Sequence, residues 1–216
     1  MLGLPSTSYV GRILPKKAFY DRLEVSPQLK DDFVRRVERF EMAHTIKPST
    51  TNIPVGERVP EVLVLRVELR EREVPEAVLR FVAENIDHKL VFACSYEGEV
   101  CLAVMLKKLV VGEWALEGDA VLDLRSESMD AFWDSLASQI AYGDRGFEPG
   151  GSSQVPAMSV EERFARDQRI AALREEIARL DARCRKEKQF NKKNQLFTQV
   201  KELKAKLAEL EREGQA

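Results

Sequence analysis

Residues 160–213 contain no Gly and no Pro, and they are dense in Arg, Lys, Glu and Gln. Apolar residues recur there at every third or fourth position, which is the spacing of an amphipathic α-helix. A continuous helix of this length would measure roughly 80 Å, which is more than a small globular domain can cover. Its apolar stripe therefore needs a partner: a second copy, its own second half folded back, or another protein.

Two apolar seams run through this segment, each with the alternating three- and four-residue steps of a coiled coil. The first seam is Ile170, Leu173, Ile177, Leu180 and Cys184, and the second is Leu196, Val200, Leu203, Leu207 and Leu210. Because the seams differ in phase, either one continuous helix carries a drifting stripe, or the chain turns back near Asn191 and the seams face each other. The absence of Gly and Pro favours the continuous helix. We predict a coiled-coil arm over residues 159–213 that binds a partner along these seams.

The junction between the seams is strongly basic. It carries Arg183, Arg185, Lys186, Lys188, Lys192 and Lys193 against the single acidic residue Glu187. One interpretation is a nucleic-acid contact in which Phe190 stacks or docks; the other is a solvated helix face. Residues 151–216 have a net charge of +4, whereas residues 1–150 have a net charge of −6. The acidic body favours docking to a protein partner over binding to nucleic acid.

The rest of the chain predicts a globular α+β domain over residues 1–142, a mostly antiparallel mixed sheet with packed helices. Helices are predicted from Pro15 to Leu23, from Pro27 with Ser26 as N-cap, from Pro75, and from Ser128 to Tyr142. Strands are predicted from Phe40 to Lys47, from Glu61 to Leu69 and from Val110 to Leu116, the last with Trp114 as a core anchor. A Gly-, Pro- and Ser-rich stretch, residues 143–158, is predicted to be a flexible linker.

A β-hairpin around Glu97-Gly98 is the most specific structural pattern in the body. With these two residues as the turn, Cys94 lies opposite Cys101 and Phe92 lies opposite Ala103. Both faces of the hairpin are apolar, so it should be a central strand pair that is covered on both sides. Helices provide one cover; the other is unassigned, and a partner subunit is one candidate.

Chemistry-bearing residues are sparse. Cys94, Cys101 and Cys184 form no C-x-x-C pair, which indicates a reducing compartment and thiols that pack as small apolar groups. His44 and His88 have no spaced partner, so we predict no metal, no cofactor and no catalytic residue. The sequence has neither a signal-peptide pattern nor an apolar run long enough for a bilayer, which predicts a cytoplasmic protein.

The common motifs for nucleotide binding, nucleophilic hydrolysis and zinc proteolysis do not occur in the sequence. A metal-dependent nuclease would need a Glu two positions before a strand Lys, and the stretch ending in Leu106-Lys107-Lys108 lacks it. A degenerate nuclease stays open, but the pattern favours a non-enzymatic protein.

Two passages carry a resemblance: Gly3-Leu4-Pro5 with Ile13-Leu14-Pro15-Lys16, and Lys-Glu-Lys-Gln-Phe-Asn-Lys-Lys at 186–193. With the order of elements, the chain resembles, over nearly its whole length, the bacterial and archaeal domain-of-unknown-function family 4391. The resemblance implies a small accessory protein encoded beside a DNA methyltransferase and a helicase in restriction-like or phage-defence loci. It brings no catalytic residues to carry over.

Two hypotheses follow. The leading one is a non-enzymatic interaction or assembly module that docks a partner, or a second copy, through its C-terminal coil, with the methyltransferase and helicase as candidate partners. The alternative is a nucleic-acid-binding or nuclease-like subunit that uses residues 183–193.

Overall fold

The computed structural model describes residues 2–21, 25–143 and 158–212. The chain divides into two compact units, Met1–Ala157 and Met158–Ala216, which we call the body and the helical hairpin. The predicted linker, residues 143–158, lies outside the described residues except for its two ends. No helix in the described ranges is both long and apolar enough to cross a bilayer.

A single mixed sheet forms the centre of the body, as predicted. Its strands are β1 (Tyr9–Leu14), β2 (Val37–Ile46), β3 (Val62–Leu69), β4 (Lys89–Tyr96), β5 (Glu99–Met105) and β6 (Leu109–Leu116). The spatial order of the strands is the same as their order in the chain. Neighbouring strands are antiparallel except β3 and β4, which run parallel because a helix connects them. The α+β fold class is thereby confirmed.

The helices are short in the body and long in the hairpin unit. They are α1 (Lys17–Tyr20), α2 (Pro27–Arg35), α3 (Pro48–Thr51), α4 (Glu76–Glu84), α5 (Met129–Tyr142), α6 (Val160–Lys186) and α7 (Phe190–Arg212). Two predicted helix starts are confirmed by their caps. The Ser26 hydroxyl accepts a hydrogen bond from the Leu29 N–H, and the Ser128 hydroxyl accepts one from the Ala131 N–H.

The predicted β4–β5 hairpin forms with the predicted register. Cys94 pairs with Cys101 and Phe92 pairs with Ala103. Glu97 and Gly98 both have positive φ angles, 45° and 85°, which are the angles of a two-residue type I′ turn. The two-residue turn sets the register, so the pairing of every residue of β4 with a residue of β5 follows from the position of the turn.

One face of the sheet is covered by α2 and α4. Phe33 of α2 is fully buried and contacts the rings of Phe19, Tyr20, Phe40 and Phe81. Val78, Leu79 and Val82 of α4 join the same cluster, together with side chains from β2 to β5. This cluster is the main core of the body.

The other face, whose cover was unassigned in the sequence, packs against α5. The buried apolar side chains of α5 are Met129, Phe132, Trp133, Leu136, Ala137 and Ile140. The helix contacts β5 and β6. At Gly112 an added Cβ would lie 3.2 Å from the Leu102 carbonyl oxygen and 3.6 Å from Ile140 Cγ2, so the glycine permits this approach. Helices of the same chain therefore cover both faces of the sheet, α2 and α4 on one face and α5 on the other.

Three local predictions for the body need correction. The first helix, expected from Pro15 to Leu23, is only Lys17–Tyr20, and residues 22–24 lie outside the described part. The second strand begins at Val37 rather than at Phe40, because Val37 pairs with Leu69 of β3. Trp114 is half-buried rather than a core anchor, and its ring contacts the Arg72 guanidinium, whose carbon lies 5.2 Å from the ring centroid.

The prediction of one continuous C-terminal helix is wrong. The chain turns back after α6, and α7 packs against α6, as the alternative prediction had it. Helix α6 ends at Lys186, and the next residue, Glu187, adopts an extended conformation. Its carboxylate accepts a hydrogen bond from the Gln189 N–H at 2.8 Å, and α7 begins at Phe190. A turn with neither Gly nor Pro forms because pairing the two seams removes from water the apolar stripes that a single long helix would leave exposed.

Candidate interaction site on the helical hairpin

The two seams predicted to bind a partner form the internal core of the helical hairpin. Ile177, Leu180 and Val200 are buried, and Leu196, Leu203 and Leu207 pack against them. The remaining predicted seam residues, Ile170, Leu173, Cys184 and Leu210, are half-buried. Six of the ten predicted seam residues thus pack together within this one unit of the chain.

Ion pairs between the helices support the antiparallel pairing. Arg174 Nη2 lies 2.6 Å from Glu211 Oε1, and Lys204 Nζ lies 3.2 Å from Asp181 Oδ2. Because these side chains are largely exposed, each pair contributes only about 0.2–1 kcal/mol to stability. Their main effect is to favour one register of the two helices over others.

The six basic residues of the sequence junction surround the turn of the hairpin. We call this set, Arg183, Arg185, Lys186, Lys188, Lys192 and Lys193, the basic tip. All six are exposed, and none forms an ion pair with a carboxylate in the part of the chain that the structure describes. The linear run predicted from the sequence becomes, through the turn at 187–189, a cluster at one end of the unit.

The basic residues on the two sides of the turn differ in their effect on the helices. Arg183, Arg185 and Lys186 occupy the last turn of α6, where cations stabilise the negative end of the helix dipole. Lys192 and Lys193 occupy the first turn of α7, which contains no acidic residue. Cations at that end are unfavourable by about 0.3–1 kcal/mol each, so helix stability does not explain these two lysines.

Two phenylalanines of α7 point away from the hairpin core. Phe190 is 75% exposed and Phe197 is 64% exposed. They are separated by seven residues, or two turns, and therefore lie on one side of α7 about 10 Å apart along its axis. Phe190 was named from the sequence as a contact residue, whereas Phe197 was not. The sequence signal for Phe197 is its position directly after the seam residue Leu196, which places it outside the seam.

A shallow groove of about 390 Å³ lies between the helices on this same side. Lys204, seven residues after Phe197, lines it, together with the small side chains of Ala178 and Ala182 from α6. We call this surface, made of Phe197 and the groove beside Ala178 and Ala182, the aromatic flank. Phe197 itself does not line the groove, and charged side chains, among them Asp181 and Lys204, line it beside the two alanines.

The cysteines of the body behave as packing groups. Cys94 and Cys101 are buried and free. Burial raises the pKa of the Cys94 thiol far above its usual range and raises the pKa of the Cys101 thiol to about 11. Cys101 Sγ lies 3.2 Å from the Gly112 carbonyl oxygen, to which its S–H donates. Both thiols stay protonated at neutral pH and are poor nucleophiles.

A Ser–His contact in the body is oriented for structure rather than for nucleophilic attack. Ser8 Oγ donates to the Pro5 carbonyl oxygen at 2.8 Å, so it accepts from His44 Nδ1 at 2.9 Å. A nucleophilic serine would instead donate its proton to the imidazole. Burial lowers the pKa of His44, and both side chains are buried. The other histidine, His88, is half-exposed with Nδ1 3.4 Å from Glu61 Oε1.

Metal-ligating side chains do not converge in residues 2–21, 25–143 or 158–212: no group of three or more His, Cys, Asp or Glu side chains suited to a metal ion occurs there. Exposed large apolar side chains occur in both units: Tyr9, Val10 and Ile13 of β1 in the body, and Phe190 and Phe197 in the helical hairpin.

A family model described as "Domain of unknown function (DUF4391)" matches residues 2–207. Comparison with curated proteins gave no match, and comparison with solved structures gave none either. The match spans the body and most of the helical hairpin.

Proposed function

The chain belongs to the DUF4391 family, and we propose that it is a non-enzymatic interaction module whose helical hairpin docks a protein partner through the aromatic flank. The protein would act in the cytoplasm as an accessory subunit of a restriction-like or phage-defence complex. The methyltransferase and helicase implied by the sequence resemblance are the first partners to test.

The observation that carries this proposal is the exposure of Phe197 in a unit that otherwise buries its apolar seams. Burying a phenylalanine side chain is worth about 1.5–3 kcal/mol, and the seam of the same helix achieves such burial internally. Phe197 gains no such benefit, although the recess beside Ala178 and Ala182 adjoins its side of α7. Aromatic side chains beside a recess are typical anchors of protein interfaces.

Self-association is a second mode of the same function. The seams already contact each other, so a second copy would have to use the aromatic flank as well. Both modes therefore depend on Phe197, and one substitution tests them together. Light scattering separates them, because only self-association changes the mass of the isolated protein.

The test uses the full chain in its wild-type form, with Phe197→Ser, and with the matched control Gln195→Ser. Gln195 is exposed on the opposite flank of α7, two residues away. Each form is co-expressed with the tagged methyltransferase and, separately, with the tagged helicase, and binding is measured by titration calorimetry. We expect Phe197→Ser to weaken binding about tenfold or more, and Gln195→Ser to leave it unchanged.

The proposal is wrong if the wild-type protein is monomeric in light scattering and binds neither partner. It is also wrong if Gln195→Ser and Phe197→Ser weaken binding equally, since the contact would then not depend on the aromatic flank. Circular dichroism of each variant shows whether the helices persist.

A further inference from the structure

We propose that the basic tip, with Phe190 at its centre, is a contact surface for single-stranded nucleic acid. This site differs from the aromatic flank in its ring, Phe190 instead of Phe197, and in the chemical class of its ligand, although Arg185 belongs to the tip and also lines the groove of the flank. It adds to the docking function a second contact, so that the hairpin could hold a partner protein and a nucleic-acid strand at the same time.

The first argument is the contrast in charge pairing along the hairpin. Away from the turn, basic side chains face carboxylates, as in Arg174 with Glu211 and Lys204 with Asp181. At the basic tip, six cations face only Glu187, whose Oε1 accepts from a backbone N–H. A solvated face that served only to keep the unit in solution would mix both signs, as the rest of the hairpin does. The tip instead keeps one sign, which is complementary to a polyanion.

The second argument is the position of Lys192 and Lys193. They lie in the first turn of α7, where the helix dipole disfavours cations, and no acidic residue of that turn offsets them. Local structure therefore gives no reason for these two lysines. Phosphate groups at the same place would be attracted by both the side chains and the positive end of the helix.

The third argument distinguishes nucleic acid from an acidic protein segment. The tip is rich in lysine, and lysine is depleted in the cores of protein interfaces. Contacts to phosphate, in contrast, are made mainly by lysine and arginine. Phe190 is exposed at the start of α7, and Lys188, Lys192 and Lys193 lie within three residues of it in the sequence. A ring among cations is the arrangement on which the bases of a single strand stack while the backbone contacts the charges.

The experiment uses the full chain and a fluorescein-labelled oligothymidine of about 20 nucleotides, followed by anisotropy from about 25 to 200 mM salt. The expected slope of log K against log salt is about −0.7 for each phosphate neutralised, or about −2 to −4 for three to six contacts. Salt dependence of this size is the signature of phosphate binding.

Two pairs of matched variants locate the site. Lys192→Gln with Lys193→Gln removes two charges at the tip, whereas Lys201→Gln with Lys206→Gln removes two from exposed positions further along the same helix. We expect the first pair to weaken binding tenfold or more and to reduce the slope by about 1.4, and the second pair to change affinity less than twofold. Phe190→Ala should weaken binding several-fold, with Gln195→Ala, a truncation at an exposed position of the same helix, as its control.

Several results would overturn the assignment: no binding at the lowest salt, equal losses from the two lysine pairs, or no effect of Phe190→Ala. A duplex that binds as tightly as the single strand, or polyglutamate of the same length that competes equally, would also overturn it. Failure here leaves the docking proposal standing, since that depends on Phe197 and on protein partners. Circular dichroism confirms that α7 stays folded in each variant.

Discussion

The body and the helical hairpin bury their apolar residues in different ways. In the body, both faces of one sheet are covered, and its charges pair across elements, as Arg72 does with both carboxylate oxygens of Glu99 at 2.6 and 2.9 Å. In the helical hairpin, a core of three buried residues holds the two long helices together. The six cations of the basic tip form no ion pair with a carboxylate in the part of the chain that the structure describes. The difference indicates that the body is built for stability and that the hairpin retains surface for binding.

The two units can be followed separately in one experiment. Both tryptophans of the chain, Trp114 and Trp133, lie in the body. Tryptophan fluorescence therefore reports unfolding of the body alone, whereas circular dichroism at the helical minimum also reports α6 and α7, the longest helices described. If the units are independent, denaturant should give two transitions with different midpoints.

The largest expected effect is that of Phe33→Ala. Phe33 is fully buried and contacts four aromatic rings, so its removal should lower the free energy of unfolding of the body by about 3–5 kcal/mol. The transition followed by tryptophan fluorescence should move to lower urea concentration. The transition of α6 and α7, followed by circular dichroism, should keep its midpoint. The neighbouring, half-exposed Val34→Ala is the control. Movement of both transitions by Phe33→Ala would show that the units unfold together.

The reciprocal change is Leu180→Ala in the hairpin. Leu180 belongs to the three-residue buried core of this unit, and its truncation should cost about 2–4 kcal/mol. We expect the helical signal to be lost at lower urea with an unchanged fluorescence transition. Phe197→Ala, which removes an exposed ring of the same unit, should leave the helical transition unchanged.

A pH series separates the units through His44. Burial holds the pKa of this side chain below the ordinary value of 6.5, so the unfolded chain binds the proton more readily than the body does. The stability that results is fully present above about pH 6.5 and is lost as the pH falls from there towards the lower pKa of the folded state. The fluorescence midpoint should therefore decrease from pH 7 to pH 5.

His44→Gln removes this titration and should flatten the pH dependence, whereas His88→Gln should leave it intact. The helical transition of the hairpin is a further internal control, because the unit contains no histidine. A fluorescence midpoint that is constant between pH 7 and pH 5 in the wild type would contradict the prediction.

The smallest effect is expected for Lys204→Gln. Breaking its exposed ion pair with Asp181 should lower the stability of the hairpin by less than about 1 kcal/mol, and the loss should fade in high salt. The exposed Lys206→Gln, two residues away and without a described carboxylate partner, should have no measurable effect. A larger loss would mean that ion pairs, rather than the three buried residues, hold the helices together.

The sequence predicted the features that short-range rules determine. The β4–β5 register followed from a two-residue turn, and the starts of α2 and α5 followed from Ser26 and Ser128 as capping residues. Features decided by distant contacts were missed. Strand β2 begins at Val37 because it pairs with Leu69, a residue far away in the chain.

The candidate site was predicted in composition but not in arrangement. The basic run and the two seams could be read directly, but the turn at 187–189 could not, because neither Gly nor Pro marks it. Helix propensity favours continuing through these residues, and only the pairing of Ile177 and Leu180 with Val200 favours the turn. The reversal turned predicted partner-binding residues into an internal core and left Phe190 and Phe197 as exposed apolar side chains of α7.

The sheet has a consequence for synthesis on the ribosome. Every strand from β2 onward pairs with the strand made immediately before it, so each new segment finds its neighbour already in place. Nascent chains can thus add strands one at a time at a growing edge, across connections that range from the two-residue turn between β4 and β5 to the 22 residues between β1 and β2. Helix α5 is made after β6, so the sheet can be complete before the helix covers its second face.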